Sequence, residues 1–278
     1  MKKEQLKPEK AYKNLEFLNS SDARTLRILA EFLEPMQRFK AEKVCDTIVF
    51  FGSARTKNLK DAQRNLQRIE QSMVGKVSTA SSVSDDELEY ARNQVFLAQY
   101  YEDAVELARR LTEWSSNLDS THRFVISSGG GPGMMEAANK GAVEGGGKSI
   151  GLNISIPTEQ YSNPYITPEL NFEFHYFFMR KFWFIYLAKA LVIFPGGFGT
   201  LDELFEVLTL IQTEKVQKKM PIIIYGKKYW DQILNLDNMA KFGVIDKEDL
   251  DLIHFCDSVD GAFNYLTSEL TRLYIETE

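Results

Sequence analysis

The sequence predicts an α/β fold that is doubly wound: a mainly parallel sheet with helices on both faces. Three observations predict it. Short runs of β-branched and aromatic residues ("TIVFF", "FVISS", "LVIF", "PIIIY") recur along the chain. Segments of helical period, long enough for several turns, separate them. Glycine-rich turns close several of the runs, among them "SSGGGPG" at 127–133 and "FPGGFG" at 194–199. Strands that alternate with long helices build a parallel sheet covered on both sides. Such sheets bind ligands beyond the carboxyl ends of their strands, where the winding reverses. The turns after "TIVFF", "FVISS" and "LVIF" are therefore expected at one common edge.

Taken in order, residues 8–40 read as polar helices. Leu26, Leu29, Ala30, Phe32 and Leu33 fall at helical spacing and Pro35 marks a break or kink. "VCDTIVFFGSAR" (44–55) reads as the first strand and its turn. Residues 56–85 are polar and read as a partly helical insertion that ends in the Ser/Thr-rich "VSTASSVSDDE". A long helix covers 86–117, then come strand 124–128, a helix from Pro132 to about Glu144 and strand 149–156. A loop with Pro164 and Pro168 leads to a short strand, "FEFHYF". Helix "RKFWFIYLAKA" (180–190), strand 191–194, a helix from Leu201 to about Glu214 and strand 221–225 follow. The tail reads as two helices, "YWDQILNLDNMAKF" and "AFNYLTSELTRLYIE". These elements suggest two parts: an N-terminal helical extension, 1–43, and one α/β domain, 44–278, carrying the insertion.

Composition narrows the function classes. The chain has 278 residues, 44% hydrophobic and 26% charged, the balance of an ordinary globular protein. Its formal net charge of −6 argues against non-specific binding to nucleic acid or to anionic membrane. The most apolar stretch, 174–194, is interrupted by Arg180, Lys181 and Lys189, so no membrane span is expected. Cys45 and Cys256 form no Cys-x-x-Cys pair, which fits a reducing cytoplasm. His122, His175 and His254 are scattered and suggest no His-based metal site.

The chemistry concentrates at the glycine turns. Gly129, Gly130 and Gly131 follow a strand, and Pro132 suits the first turn of a helix. Glycines let backbone N–H groups approach an anion, and a helix N-terminus adds partial positive charge. The bland alternative is a tight strand-to-helix turn. The segment is not the dinucleotide fingerprint, because Met134 stands where its last glycine should be. "GGGKS" at 145–149 is not a P-loop either, since Ala142 replaces the first glycine and a strand follows. Gly196, Gly197 and Gly199 repeat the anion-turn logic. There, Thr200 and Glu203 also fit a capping box. Glu203 is thus either a cap or a carboxylate set beside a bound anion. "MRK" (179–181) precedes the strand before this turn; its charges reach the site only if their helix starts at the same edge.

Taken together these motifs resemble a known family. "GGGPGMMEAANKGA" is similar to its G-G-G-x-x-G-x-M segment, "PGGFGTLDE" to its P-G-G-x-G-T-x-x-E signature, "FFGSAR" to its first-strand turn, and "MRK" stands at its Arg-Lys position. This is the LOG ("Lonely Guy") family, long labelled lysine decarboxylases, and the resemblance covers roughly 44–255. "GLNISIPTEQYSNPY" (151–165) resembles its longer, bacterial-type members. The resemblance implies a Rossmann-like fold and a homodimer or larger homo-oligomer. It implies hydrolysis of the N-glycosidic bond of a nucleoside 5′-monophosphate, AMP or a cytokinin ribotide, with no cofactor and no metal. Arg180 and Glu203 match the catalytic positions. Gly52, Ser53, Gly130, Gly131, Gly133, Met134, Glu136, Lys181, Gly196, Gly197, Gly199 and Thr200 match substrate-binding ones. The alternative, which relatives of the same fold suggest, is a non-catalytic carrier of nucleotide or molybdenum cofactor. No lysine has a context that marks it for pyridoxal phosphate chemistry.

Overall fold

The computed structural model describes residues 8–74, 84–118, 124–156 and 161–276. His122 and most of the Ser/Thr-rich loop lie outside the described residues. In chain order the elements are α1 (Leu15–Asn19), α2 (Arg24–Ala41), β1 (Thr47–Phe51), α3 (Leu59–Val74), α4 (Asp85–Ser116), β2 (Val125–Ser128), α5 (Met134–Glu144) and β3 (Ser149–Ile154). There follow β4 (Asn171–Phe174), α6 (Phe177–Tyr186), β5 (Ala188–Ile193), α7 (Phe198–Gln212), β6 (Ile222–Tyr225), α8 (Lys227–Ile233), α9 (Leu236–Lys241), β7 (His254–Cys256) and α10 (Val259–Tyr274).

The seven strands form one sheet in the order β4-β3-β2-β1-β5-β6-β7, and every neighbouring pair is parallel. The winding runs one way from β1 to β4 and the other way from β5 to β7, so it reverses between β1 and β5. Alternation along β1 serves two cores. Val49 and Phe51 join Phe39 of α2, Trp183 of α6, Leu204 of α7 and Trp230 of α8. Ile48 and Phe50 join Leu107 of α4, Ala138 of α5 and Leu266 of α10. Each such fully buried apolar side chain contributes about 1.5–3 kcal/mol relative to exposure. Close approach of α5 to α4 depends on small residues: a Cβ on Gly141 would sit 2.1 Å from the Val105 carbonyl oxygen.

Several boundaries differ from the sequence reading, each for a physical reason. The helix expected over 180–190 spans 177–186, and "AKA" opens β5 instead. Ala188 packs in the core on one face of the sheet and Ala190 in the core on the other, across a register shift at Lys189, so the segment lacks a regular strand period, and short apolar runs do not distinguish the two states. The helix expected at 229–242 is two helices, because the Asn235 side chain accepts the Asn238 N–H at 3.0 Å and starts α9 afresh. β7 was not expected: three residues on a sheet edge give almost no pattern. The insertion contributes α3, which packs on α4.

Helix α2 is tied to α6. Glu31 of α2 accepts the backbone N–H groups of His175 and Tyr176 at 2.8 and 3.2 Å, at the start of α6. Trp183 of α6 donates its indole N–H to the Glu31 carbonyl at 2.9 Å. Among the described residues no helix is long and apolar enough to cross a membrane.

Candidate active site

The carboxyl ends of β1 and β5 continue together past the sheet. Phe194 donates its N–H to the Phe51 carbonyl at 2.8 Å, and Ser53 donates to Pro195 at 3.0 Å. Met134, the first residue of α5, donates to the Ser53 carbonyl at 3.0 Å. These bonds draw three turns together at the point where the winding reverses: Gly52-Ser53, Gly129–Gly133 and Gly196–Thr200.

The first large turn is crowded. Gly130 and Gly133 have φ of +74° and +72°, conformations that favour glycine. A Cβ on Gly133 would fall 2.3 Å from the Ser53 carbonyl oxygen, and one on Gly129 would fall 2.6 Å from the Arg180 guanidinium. Gly131 is buried in the same turn. Gly133 is the N-cap of α5 and provides no side-chain cap. Met134 turns into the core, where it fills the space a Cβ on Gly52 would need. Glu136 is half-buried and accepts the Tyr101 hydroxyl at 2.9 Å.

The second large turn is open. Gly197, Phe198 and Gly199 are exposed, Phe198 at 93%, and nothing lies within 4 Å of a Cβ on Gly197 or Gly199. Gly196 is different: the Thr200 hydroxyl covers its Cα, and Tyr229 donates to its carbonyl at 2.9 Å. The capping box does not form. The N-cap of α7 is Gly197, so Thr200 lies inside the first turn and Glu203 in the second. Both helices that begin at these turns thus present uncapped N–H groups, the arrangement that suits an anion. Some helices elsewhere are closed by side chains, α4 by a capping box of Ser84 and Glu87 and α10 by Ser258, while α2, α6 and α8 also have no side-chain cap.

Freed from capping, Glu203 is 5% exposed, and its Oε2 meets no hydrogen-bond partner among the described residues. Its Oε1 lies 3.9 Å from the Arg180 Nη1, an ion-pair distance but too long for a hydrogen bond. Arg180 belongs to α6, whose N-terminus does start at this edge. Its Nε donates to the Leu152 carbonyl of β3 at 2.7 Å, and its guanidinium lies 4.9 Å from the Phe184 ring centre. Burial pushes the Glu203 carboxyl up to about 7, opposed by Lys181 and Arg180. Burial also lowers the Arg180 pKa, opposed by Glu203; a guanidinium stays charged regardless. Lys181 is turned to other partners, with Nζ 2.7 Å from Asp202 and 2.8 Å from Glu206. Partial burial works against its charge, but those two carboxylates outweigh it and raise the lysine.

Sequence reasoning missed the polar residues behind the turns. Asn153 of β3 packs against Gly130 and donates to Phe172 and Asn171; its Oδ1 has no hydrogen-bond partner among the described residues. Asn139 and Asn163 are buried beside it. No regular spacing marks these amides, since they come from a helix, a strand and a loop.

A family model described as a possible lysine decarboxylase matches residues 135–266. The cytokinin riboside 5′-monophosphate phosphoribohydrolase LOG of Oryza sativa subsp. japonica is 30% identical over 145 residues, 51% of this chain and 55% of its own length. A probable cytokinin riboside 5′-monophosphate phosphoribohydrolase of the same plant is 28% identical over 139 residues, 49% of this chain and 52% of its own.

These matches support membership of the LOG family over the matched residues.

The chain spans about half the length of the curated relatives it matches. Among solved structures, a molybdenum cofactor binding protein of the phototrophic bacterium Rippkaea orientalis superposes with a TM-score of 0.46 at 16% identity, over 81% of this chain and 98% of the other. The family model spans α6, α7 and α5 after Met134, while the turns at 52–53 and 129–133 precede the matched residues.

Proposed function

We propose that this chain hydrolyses the N-glycosidic bond of a nucleoside 5′-monophosphate, AMP or a cytokinin ribotide, releasing free base and ribose 5-phosphate. The observation that carries the reading is Glu203: a buried carboxylate with an unused oxygen, 3.9 Å from a buried guanidinium, beside two uncapped helix N-termini. The curated relatives named phosphoribohydrolases support it.

In this reading the uncapped N-termini of α5 and α7 hold the 5′-phosphate, with Gly130, Gly131, Gly133, Gly196, Gly197, Gly199 and Thr200 lining it. Gly52, Ser53, Met134 and Glu136 shape the adjoining wall. Binding energy from the phosphate, remote from the bond that breaks, positions the anomeric carbon. Departure of the base builds positive charge on the ribose. The Glu203 carboxylate stabilises that charge and helps activate the water that attacks. Arg180 orients the nucleotide and assists the leaving base. Lys181 tunes Glu203 through its charge.

Decarboxylation of lysine through a Schiff base would need a neutral amine. The lysine beside Glu203 is instead held as a cation by two carboxylates. A carrier of nucleotide or molybdenum cofactor would have no use for a buried carboxylate left with an unbonded oxygen beside a guanidinium. A homodimer or larger homo-oligomer in a cytoplasmic setting belongs to the same proposal. Phe177, Phe178 and Tyr186 of α6 are each more than half exposed, beside a groove of about 530 Å³ between α6 and α7. Apolar surface of that kind suits a second copy of the chain.

Incubation of the purified protein with AMP, CMP, GMP and a cytokinin ribotide, followed by chromatography for free base, tests the activity. Base and ribose 5-phosphate in equal amounts from at least one nucleotide are expected. Tight binding without release of base from any of them would favour the carrier.

A further inference from the structure

Asn163 is 7% exposed and lies in the loop that leads back to β4. Its Nδ2 donates to the carbonyl oxygens of Gly130 and Gly131 at 3.0 and 3.1 Å and to Asn139 Oδ1 at 2.9 Å. Its backbone N–H also donates to the Gly130 carbonyl, at 2.8 Å. From the other side, Ser128 Oγ accepts the Gly130 N–H at 3.1 Å and donates to Asn139 Oδ1 at 2.7 Å. Asn139 closes the set by donating to the Ile150 carbonyl at 3.0 Å. The Gly130 peptide groups are therefore gripped at both ends by buried polar groups that satisfy one another, an arrangement that rigidifies a local structure.

The grip has a directional consequence. In a trans peptide the C=O and the following N–H point opposite ways. Holding the Gly130 carbonyl inward turns the Gly131 N–H outward, where it meets no acceptor among the described residues. The other carbonyl that Asn163 holds, that of Gly131, precedes Pro132 and has no N–H to direct.

We propose that Asn163 is a positioning residue: through the Gly130–Gly131 peptide it aims the first glycine turn at the phosphate of the substrate. This rests on the hydrolase reading for the reaction, but the peptide that Asn163 positions would meet the phosphate alone. It also gives a role to the segment that distinguishes the longer LOG-family members.

Calorimetric titration of the full chain with inorganic phosphate, paired with steady-state kinetics on AMP, compares wild type with Asn163→Ala. The phosphate Kd and the KM for AMP are each expected to rise about tenfold or more, as for a lost hydrogen bond to a charged group, with a smaller change in kcat. A role in stability alone would lower the active fraction, reducing kcat and leaving Kd and KM in place, and that result overturns the proposal. If Asn163→Ala does not fold, Asn163→Ser keeps one donor and is expected to show the same split in weaker form; unchanged Kd and KM in that variant also overturn it. Wild-type protein that binds phosphate but cleaves no nucleotide overturns the hydrolase reading, and the phosphate Kd values then decide the role of Asn163 on their own.

Discussion

The two large glycine turns carry similar sequences and meet at one edge of the sheet, yet they use glycine for different reasons. In the turn at 129–133 the backbone and its neighbours demand it: Gly130 and Gly133 have positive φ, and Arg180, Asn153 and the Ser53 carbonyl occupy the space a side chain would take. In the turn at 196–200 only Gly196 is demanded in this way. Gly197 and Gly199 face open space, and Gly199 sits inside a helix, where glycine costs about 0.5–1 kcal/mol relative to alanine. The first turn is built by the fold. The second spends stability on room that nothing in the folded chain fills, which is what a ligand-binding turn requires.

Alanine substitutions break or sharpen this contrast. Gly133→Ala carries the largest expected effect on stability, a loss of about 1–3 kcal/mol or more from strain at positive φ, before any clash with Ser53. Denaturant unfolding checks it; an unchanged midpoint would remove the distinction between the turns. Gly199→Ala is expected to do the reverse. The protein should be as stable as wild type or more so by up to about 1 kcal/mol, while kcat/KM for nucleotide falls about tenfold or more as the added methyl displaces the phosphate. Full activity in Gly199→Ala would mean that the open turn is not where the substrate binds.

A smaller effect concerns pH. Burial raises the Glu203 carboxyl to about 7. A carboxylate that must be ionised to act predicts that kcat/KM falls as pH drops through about 7. Stability moves the other way. The folded-state value lies above the unfolded one, so the contribution from Glu203 is fully present at low pH and is lost as pH rises through about 7. Because Lys181 opposes the upward shift, Lys181→Met is expected to move the acid limb of the kcat/KM profile to higher pH. A limb that stays in place would show that Glu203 does not set it.

Most of the fold was legible because strands and helices buried on a two-sided sheet carry strong periodicity. The common edge of the glycine turns follows from alternation of short strands with long helices; the reversal beside β1 does not, because alternation leaves the strand order open. Boundaries failed where the signal is weak: "AKA" before "LVIF" packs as strand only because both its alanines lie under helices, and "HFC" is an edge. The candidate site residues were named by resemblance, and their surroundings were not legible. Glu203 read equally well as a cap until Gly197 took the N-cap position, and Lys181, a substrate-binding position by resemblance, pairs with Asp202 and Glu206. Asn139, Asn153 and Asn163 were invisible, since each is meaningful only against a backbone turn far away in sequence.

The central claim is that Glu203 performs chemistry at a phosphate site. Glu203→Gln keeps the shape of the side chain and removes the buried charge, so the variant should fold and should be more stable than wild type at pH 8. Free base released from AMP, or from whichever nucleotide the wild type cleaves, is the direct readout, with nucleotide binding measured on the same samples by calorimetry. Binding retained within about threefold and turnover reduced by about a thousandfold, the scale on which transition-state stabilisers act, is the predicted result. Turnover within about tenfold of wild type, about 1.4 kcal/mol in barrier, would contradict the account.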